Sequence, residues 1–332
     1  MTDVTRATPI ERPPFEPFDL LARYGTVIAL VLLIVFNLIF TPNFATMQTL
    51  NVNLTQVCTI VIVAVGMTLV IATGGIDLSV GSLMAISGAL APMVFLGKLF
   101  PIGNIYLAVA LAMIIAIGVA TLLGLFNGWL IARFRIQPII ATLVLFIAGR
   151  GIAQVMTNGQ LQTFKVPEFQ FIGLGRVLGI PVQVIAMLVL VVLAAWVIRK
   201  TVFGRQILAI GGNERASGLS GVAVKRVKLV VYAISGFCAG VAGLVVIAIN
   251  SSSDANLVGL GIELDAIAAV AVGGTLLSGG RASIIGTLLG ALTIQLVRYT
   301  LLANGVPDSV AQVAQAVIII LAVWVQQQGR GA

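Results

Sequence analysis

Among the ionisable side chains inside or at the edge of long apolar runs, any site chemistry has to begin with Asp77, Arg150, Glu263 and Asp265. An ionisable group at membrane depth is costly unless it faces a pathway or a partner. Arg150, within the run 139–157, therefore points either to a pathway or to a salt bridge or backbone carbonyl that neutralises it. Asp77 follows Gly74-Gly75 and precedes an apolar run, which suits a helix cap as well as a gate. Glu263 and Asp265 carry the same two readings at the opening of another run. Asn127, Gln154, Asn250 and Gln295 add uncharged donors and acceptors, which serve equally as interhelical hydrogen bonds or as ligand contacts. Arg298, toward the end of the run 283–303, suits snorkelling to an interface.

None of these groups makes a catalytic or metal constellation. The chain has no histidine, and Cys58 and Cys238 both sit inside apolar runs as small core residues, so no Cys/His metal site or disulfide framework is expected. A phosphate-cradling loop needs G-x-x-x-x-G-K-[ST]. The nearest approach, Gly97-Lys98, has Pro92 in place of the first glycine and Leu99 in place of the hydroxyl. Any ATP chemistry belongs to another chain, and no cofactor is expected on this one.

The elements that position these residues follow from composition. Of 332 residues 59% are hydrophobic and 9% charged, and the mean hydropathy is +1.13, so most of the surface must face lipid. Apolar runs of the roughly 20 residues that a spanning helix needs recur at 24–40, 54–73, 80–97, 105–131, 139–157, 180–198, 228–250, 263–280, 283–303 and 308–326. The run 263–280 is Gly-rich and the weakest of the ten. The fold class is therefore all-α: a polytopic membrane protein of about ten transmembrane helices. Residues 1–23 read as a polar tail in which Pro9, Pro13, Pro14 and Pro17 oppose a regular helix, and 24–332 as the transmembrane domain. Small residues in Gly118-Val119-Ala120 and from Gly236 to Gly243 allow close helix packing.

The net charge of +8 does not imply nucleic acid, because no polar domain gathers the lysines and arginines. They lie in short loops instead. With both termini cytoplasmic, Arg133, Arg135, Arg199, Lys200, Arg205, Arg215, Lys225, Arg226, Lys228 and Arg281 are on the inside, and the outer loops hold only Lys98, Lys165 and Arg176. The longest hydrophilic inner connection, 199–227, divides a first half (24–198) from a second (228–326), two inverted five-helix halves. Gly75-Ile76-Asp77-Leu78 opens a span from the inside and Gly261-Ile262-Glu263-Leu264 opens one from the outside, a short echo between the halves.

Within 199–227, the segment 211–221 reads as a very short helix: Asn213 caps it, Glu214 complements the positive end of its dipole, and Gly221 ends it. So short a helix is marginal alone, so it either packs against a partner or is only a solvated connector.

That segment, Thr68 through Gly81, and Glu263-Leu264-Asp265-Ala266-Ile267-Ala268-Ala269-Val270 together resemble the permease subunits of ribose/xylose/galactose-type ABC importers. Met67 through Ala85 and Ala148-Gly149-Arg150-Gly151 are most similar to the galactofuranose permeases of that family. The resemblance implies a coupling helix whose Asn213, Glu214, Arg215 and Ala216 meet a cytoplasmic ATPase with tandem domains, which holds the ATP and Mg. It also implies a second permease, identical or related, a periplasmic sugar-binding protein, and a monosaccharide as cargo. The location would be the bacterial inner membrane. Asp77 would then belong to an inner gate, and Glu263 and Asp265 would meet the binding protein or a passing sugar hydroxyl. The rival readings are an ion-coupled secondary transporter, against which stand the absence of histidine and of acidic residues deep in the spans, and a passive channel or structural membrane subunit.

Overall fold

A helix buried on every side forms the axis of the molecule. The computed structural model describes residues 17–314 together with 316, 317 and 320, and within it α2 (Met47–Ala72) has every residue from Val57 to Ala72 buried. Its apolar residues run all round rather than along one stripe, as an enclosed helix requires. Around it stand α7 (Val182–Lys200), α10 (Val224–Asn250), α11 (Ile262–Val272) and α12 (Ile284–Ala303). α3 (Val80–Phe95) lies against α4 (Ile105–Phe134), α5 (Pro138–Thr157) and α10, and α1 (Pro17–Phe40) lies on α12. Large apolar side chains such as Ile114, Leu122, Val144, Ile147 and Val192 point outward and are exposed, the surface that lipid must cover.

Among the described residues, α2, α4, α5, α7, α10 and α12 are the six helices long and apolar enough to cross a membrane. α1 begins at Pro17 rather than at 24, since proline is tolerated in a first helical turn, where its missing N–H costs nothing. Thr46 and Asn104 cap α2 and α4 with their side-chain oxygens. α3 and α11 are short: 16 and 11 residues correspond to about 24 and 16 Å, less than the roughly 30 Å of a hydrocarbon layer. The expected span 263–280 thus ends at Val272, where Gly273 and Gly274 turn the chain and Gly273 packs directly on Gly286 of α12. Of the expected span 308–326, residues 308–314 are helical, and most of the remainder lies outside the described residues.

The glycines of α10 let it cross α4 closely, with Gly236 and Gly124 backbone to backbone, at 3.0 Å from a built Cβ. Ala120 shares this contact, but Gly118 faces open space. Between α5 and α7 the chain forms a lid-like segment that includes α6 (Pro167–Leu174). Strand β1 (Gln162–Thr163) pairs antiparallel with β4 (Ser252–Ser253), and β2 (Arg176–Val177) pairs with β3 (Ile180–Pro181). Phe95, Phe164 and Phe169 pin the segment to α3, with ring centroids 4.9–5.6 Å apart.

The hydrophilic connection holds two helices, α8 (Val202–Gly212) and α9 (Glu214–Leu219). Gly211 of α8 sits directly on the Ala72 carbonyl that ends α2 and on the Gly280 amide, and the Gly280 N–H donates to that same carbonyl at 3.1 Å. No side chain fits there. Gly211→Ala is expected to lower the stability of the purified protein by about 1–3 kcal/mol through overpacking. Gly212→Ala, with nothing within 4 Å of the added methyl, should instead be neutral or stabilising by up to about 1 kcal/mol. Thermal unfolding of the two variants side by side checks this, and equal melting shifts would contradict it.

Candidate functional site

Asp77 occupies the non-helical stretch between α2 and α3 and is fully buried. One carboxyl oxygen accepts from the Ser79 N–H (3.0 Å) and the Ser79 hydroxyl (2.6 Å), and the other accepts from the Ser235 hydroxyl of α10 (2.7 Å). Asn127 of α4 donates to the Ser79 hydroxyl at 2.9 Å, so one cluster ties α3, α4 and α10 together. The hydrogen bonds to the residue two positions on form an Asx turn, the local reason an aspartate stands here. Gly75 abuts the buried Tyr232 hydroxyl, which has no hydrogen-bond partner among the described residues.

The starts of α3 and α11 meet. Gly81 of α3 sits directly on the Gly259 carbonyl, and a built Cβ there would come 2.5 Å from Glu263 Oε2. The two segments that echo each other in sequence therefore also meet in space. Both helices are too short to reach from face to face, so their first turns come together inside the protein, as in the broken helices of transporters. Glu263 is buried and its Oε2 has no hydrogen-bond partner among the described residues.

Arg150 resolves in favour of backbone carbonyls: its Nη1 donates to Ala255 O (2.9 Å) and Val258 O (2.6 Å). Gln154, one turn on, donates to Asn256 at 2.8 Å, and Asn256 in turn donates to Asp254. Two side chains of α5 thereby hold the loop 254–258 that leads into α11.

On the other side of that loop lies a cavity of about 380 Å³. Asn250 and Asp265 line it, together with Gln295, Arg298, Thr55, Gln56 and Thr59. Gln295 donates to Gln56 at 2.6 Å, so the amides of α2 and α12 face each other across its wall. Arg298 does not merely snorkel, because it pairs with Asp308 at 2.9 Å. The arrangement offers uncharged donors and acceptors with one acid and one paired base. Of the residues singled out in the sequence, Asn250, Asp265, Gln295 and Arg298 share this cavity, Arg150 and Gln154 secure its loop, and Asp77 and Asn127 belong to the separate buried cluster.

The hydrophilic helices lie at the other end of α2. The Asn213 side chain accepts from the Ala216 N–H at 2.9 Å, capping α9, and Gly221 takes a left-handed φ of 88° after its end. Asn213, Glu214, Arg215 and Ala216 are all exposed. Glu214 pairs with Lys228 of α10 at 2.7 Å, and Ser217 packs inward.

With this geometry in view, comparison with known proteins is decisive. The family described as branched-chain amino acid transport system / permease component matches residues 50–323. The chain belongs to this permease family. The permease is 42% identical to the ribose import permease protein RbsC of Escherichia coli (strain K12), over 93% of this chain and 94% of the relative. It is also 42% identical to the galactofuranose transporter permease protein YtfT of the same organism, over 83% and 78%. It is 35% identical to the fructose import permease protein FruF of Bifidobacterium longum (strain NCC 2705), over 89% and 85%. No solved structure matches it significantly.

Sequence reasoning missed Gln56, Thr55 and Thr59 in the cavity, and Ser79, Ser235 and Tyr232 around Asp77. Gln56 carried a usable signal, an amide near the start of an apolar run; the two serines read as ordinary small packing residues. Arg150→Gln should loosen the 254–258 loop, because two carbonyls lose a charged donor, at a cost of about 1–3 kcal/mol. Maleimide labelling of a Leu257→Cys reporter should then accelerate, and an unchanged labelling rate would contradict the assignment.

Proposed function

We propose that this permease is the membrane-spanning subunit of an ATP-driven importer of a monosaccharide in the bacterial inner membrane. The observation that carries the reading is one bundle with an amide-lined cavity at one end and an exposed, capped helix at the other. α2 joins them: Gln56 faces the cavity and Ala72 carries Gly211 of α8, about 24 Å apart along the helix. The relatives named for galactofuranose, ribose and fructose support a sugar cargo. A sugar is neutral and polyhydroxylated, and amides and hydroxyls match it without holding it tightly.

In this reading α9 docks in a partner ATPase with tandem domains, which binds ATP and Mg. Closure of those domains moves α8 and α9, and through Gly211 the end of α2, so the cavity alternates between two openings. Residues 24–198 and 228–326 work as two halves, with 199–227 and both termini cytoplasmic, as the placement of the basic residues favours. The outer end receives sugar from a periplasmic binding protein, and a second permease, identical or related, completes the pathway. Galactofuranose, or a related hexose or pentose, is the cargo. The permease itself breaks no bond.

Reconstituted with its co-purifying subunits, the protein should accumulate radiolabelled galactofuranose, galactose or ribose only with ATP on the cytoplasmic side, and should do so in the presence of ionophores. Collapse of uptake by ionophores would overturn the reading in favour of ion coupling. Glu214→Arg, which reverses charge on α9 and breaks its pair with Lys228, should sharply lower sugar-stimulated ATP hydrolysis and uptake while leaving membrane insertion intact. Normal uptake in that variant would remove α9 as the docking helix.

A further inference from the structure

A second cavity, of about 830 Å³, lies beside α9 and is lined by the connection between α4 and α5, by α9 and by the start of α10. Its charged lining consists of Arg135, Arg215, Lys225 and Lys228 against the single carboxyl group of Glu214. That carboxyl is already taken by Lys228. Among the described residues, Arg135, Arg215 and Lys225 have no side-chain hydrogen-bond or ion-pair partner, so three cations converge on one cavity without an anion. A cavity lined mainly by one sign of charge draws anions to it.

The depth of the cavity identifies the kind of anion. Arg135 ends α4 in the left-handed conformation, with φ of 58°. Just before it, Phe126, Trp129 and Phe134 form an exposed aromatic cluster on the same end of the same helix. Phe126 stacks on Trp129 at 5.9 Å, and Trp129 meets Phe134 edge-on at 4.9 Å. Among these, an exposed tryptophan at the end of a spanning helix marks the headgroup level. The lining also includes apolar groups, Ile131, Ile136 and Val224, which suit the glycerol and first methylenes of a lipid better than they suit a bare ion. We infer that this cavity binds the phosphodiester headgroup of an anionic phospholipid, seated between the α4–α5 connection and α9. Basic cavities between helix ends at a membrane surface take such headgroups. Because the proposed function docks α9 and its Arg215 in a partner ATPase, the headgroup rests on Arg135 and Lys225, which lie outside α9.

The test uses full-length protein in a neutral detergent, titrated with a short-chain phosphatidylglycerol, the matching phosphatidylcholine, and inorganic phosphate, with bound lipid read by native mass spectrometry. Phosphatidylglycerol should bind at one molecule per chain, in a salt-sensitive manner, and phosphatidylcholine should not compete. The double variant Arg135→Asn with Lys225→Gln should weaken binding about thirtyfold, from roughly fivefold per removed cation. Asparagine is chosen because it tolerates the left-handed backbone. Lys225→Arg, which keeps the charge, should bind as the unaltered protein does and serves as the folding control. Equal binding of phosphatidylcholine, or unchanged affinity in the double variant, would overturn the proposal. Inorganic phosphate binding as tightly as phosphatidylglycerol would overturn the lipid as its source.

Discussion

Backbone that leaves the helix inside a buried core has to find its hydrogen-bond partners within the protein, and the rest of this structure is arranged around that requirement at residues 73–79. Asp77 and Ser79 are fully buried there, and each peptide group kept from water without a partner costs several kcal/mol. Asp77 meets the requirement locally by accepting from the Ser79 N–H and hydroxyl. It meets it globally by accepting from Ser235 of α10, while Asn127 of α4 reaches the same Ser79 hydroxyl. The Leu78 N–H is satisfied by the Thr142 hydroxyl of α5 at 3.1 Å. Three long helices are thereby fixed around one break in the chain. α3 can then begin within the protein, where its Gly81 meets the start of α11.

That fixed break allows one rigid helix to serve two ends. α2 is enclosed along most of its length, so it does not bend to relieve a displacement at either end. At one end its amide and hydroxyl side chains face the cavity; at the other its last carbonyl is shared between Gly280 and the closely seated Gly211. Glycine is required at that seat because backbone must touch backbone, and close packing of this kind transmits movement better than flexible side chains do. In the proposed function, a movement of α8 and α9 reaches the cavity through α2 itself.

Much of this was legible in the sequence, because hydropathy and length are strong constraints in lipid. The α4, α5 and α12 spans fall within a few residues of their expected ranges, and the Asn213 cap follows from residue type alone. The short helices were harder to read. Nothing in a run such as 263–280 states that its glycines turn the chain at Gly273 until Gly286 is seen against it. The echo of Gly75-Ile76-Asp77-Leu78 in Gly261-Ile262-Glu263-Leu264 was visible, yet its spatial meaning was not, since periodicity does not reveal how deep a half-helix starts. Arg150 was correctly singled out as exceptional, and of its open readings the structure selects the backbone carbonyls of the loop before α11. The cavity was only half legible, because α2 contributes Gln56 and Thr59 from a helix whose other residues read as uniform apolar core.

The most direct test of this account is a double-mutant cycle on Asp77 and Ser235, read as thermal stability of the purified protein with Asp77→Ala, Ser235→Ala and both. If the Asp77 carboxyl group joins the broken segment to α10, the two losses should be non-additive by about 1–3 kcal/mol, the range for a hydrogen bond to a charged or buried group. Losses that add to within about 0.5 kcal/mol would show that the break is held by other means and would contradict the account.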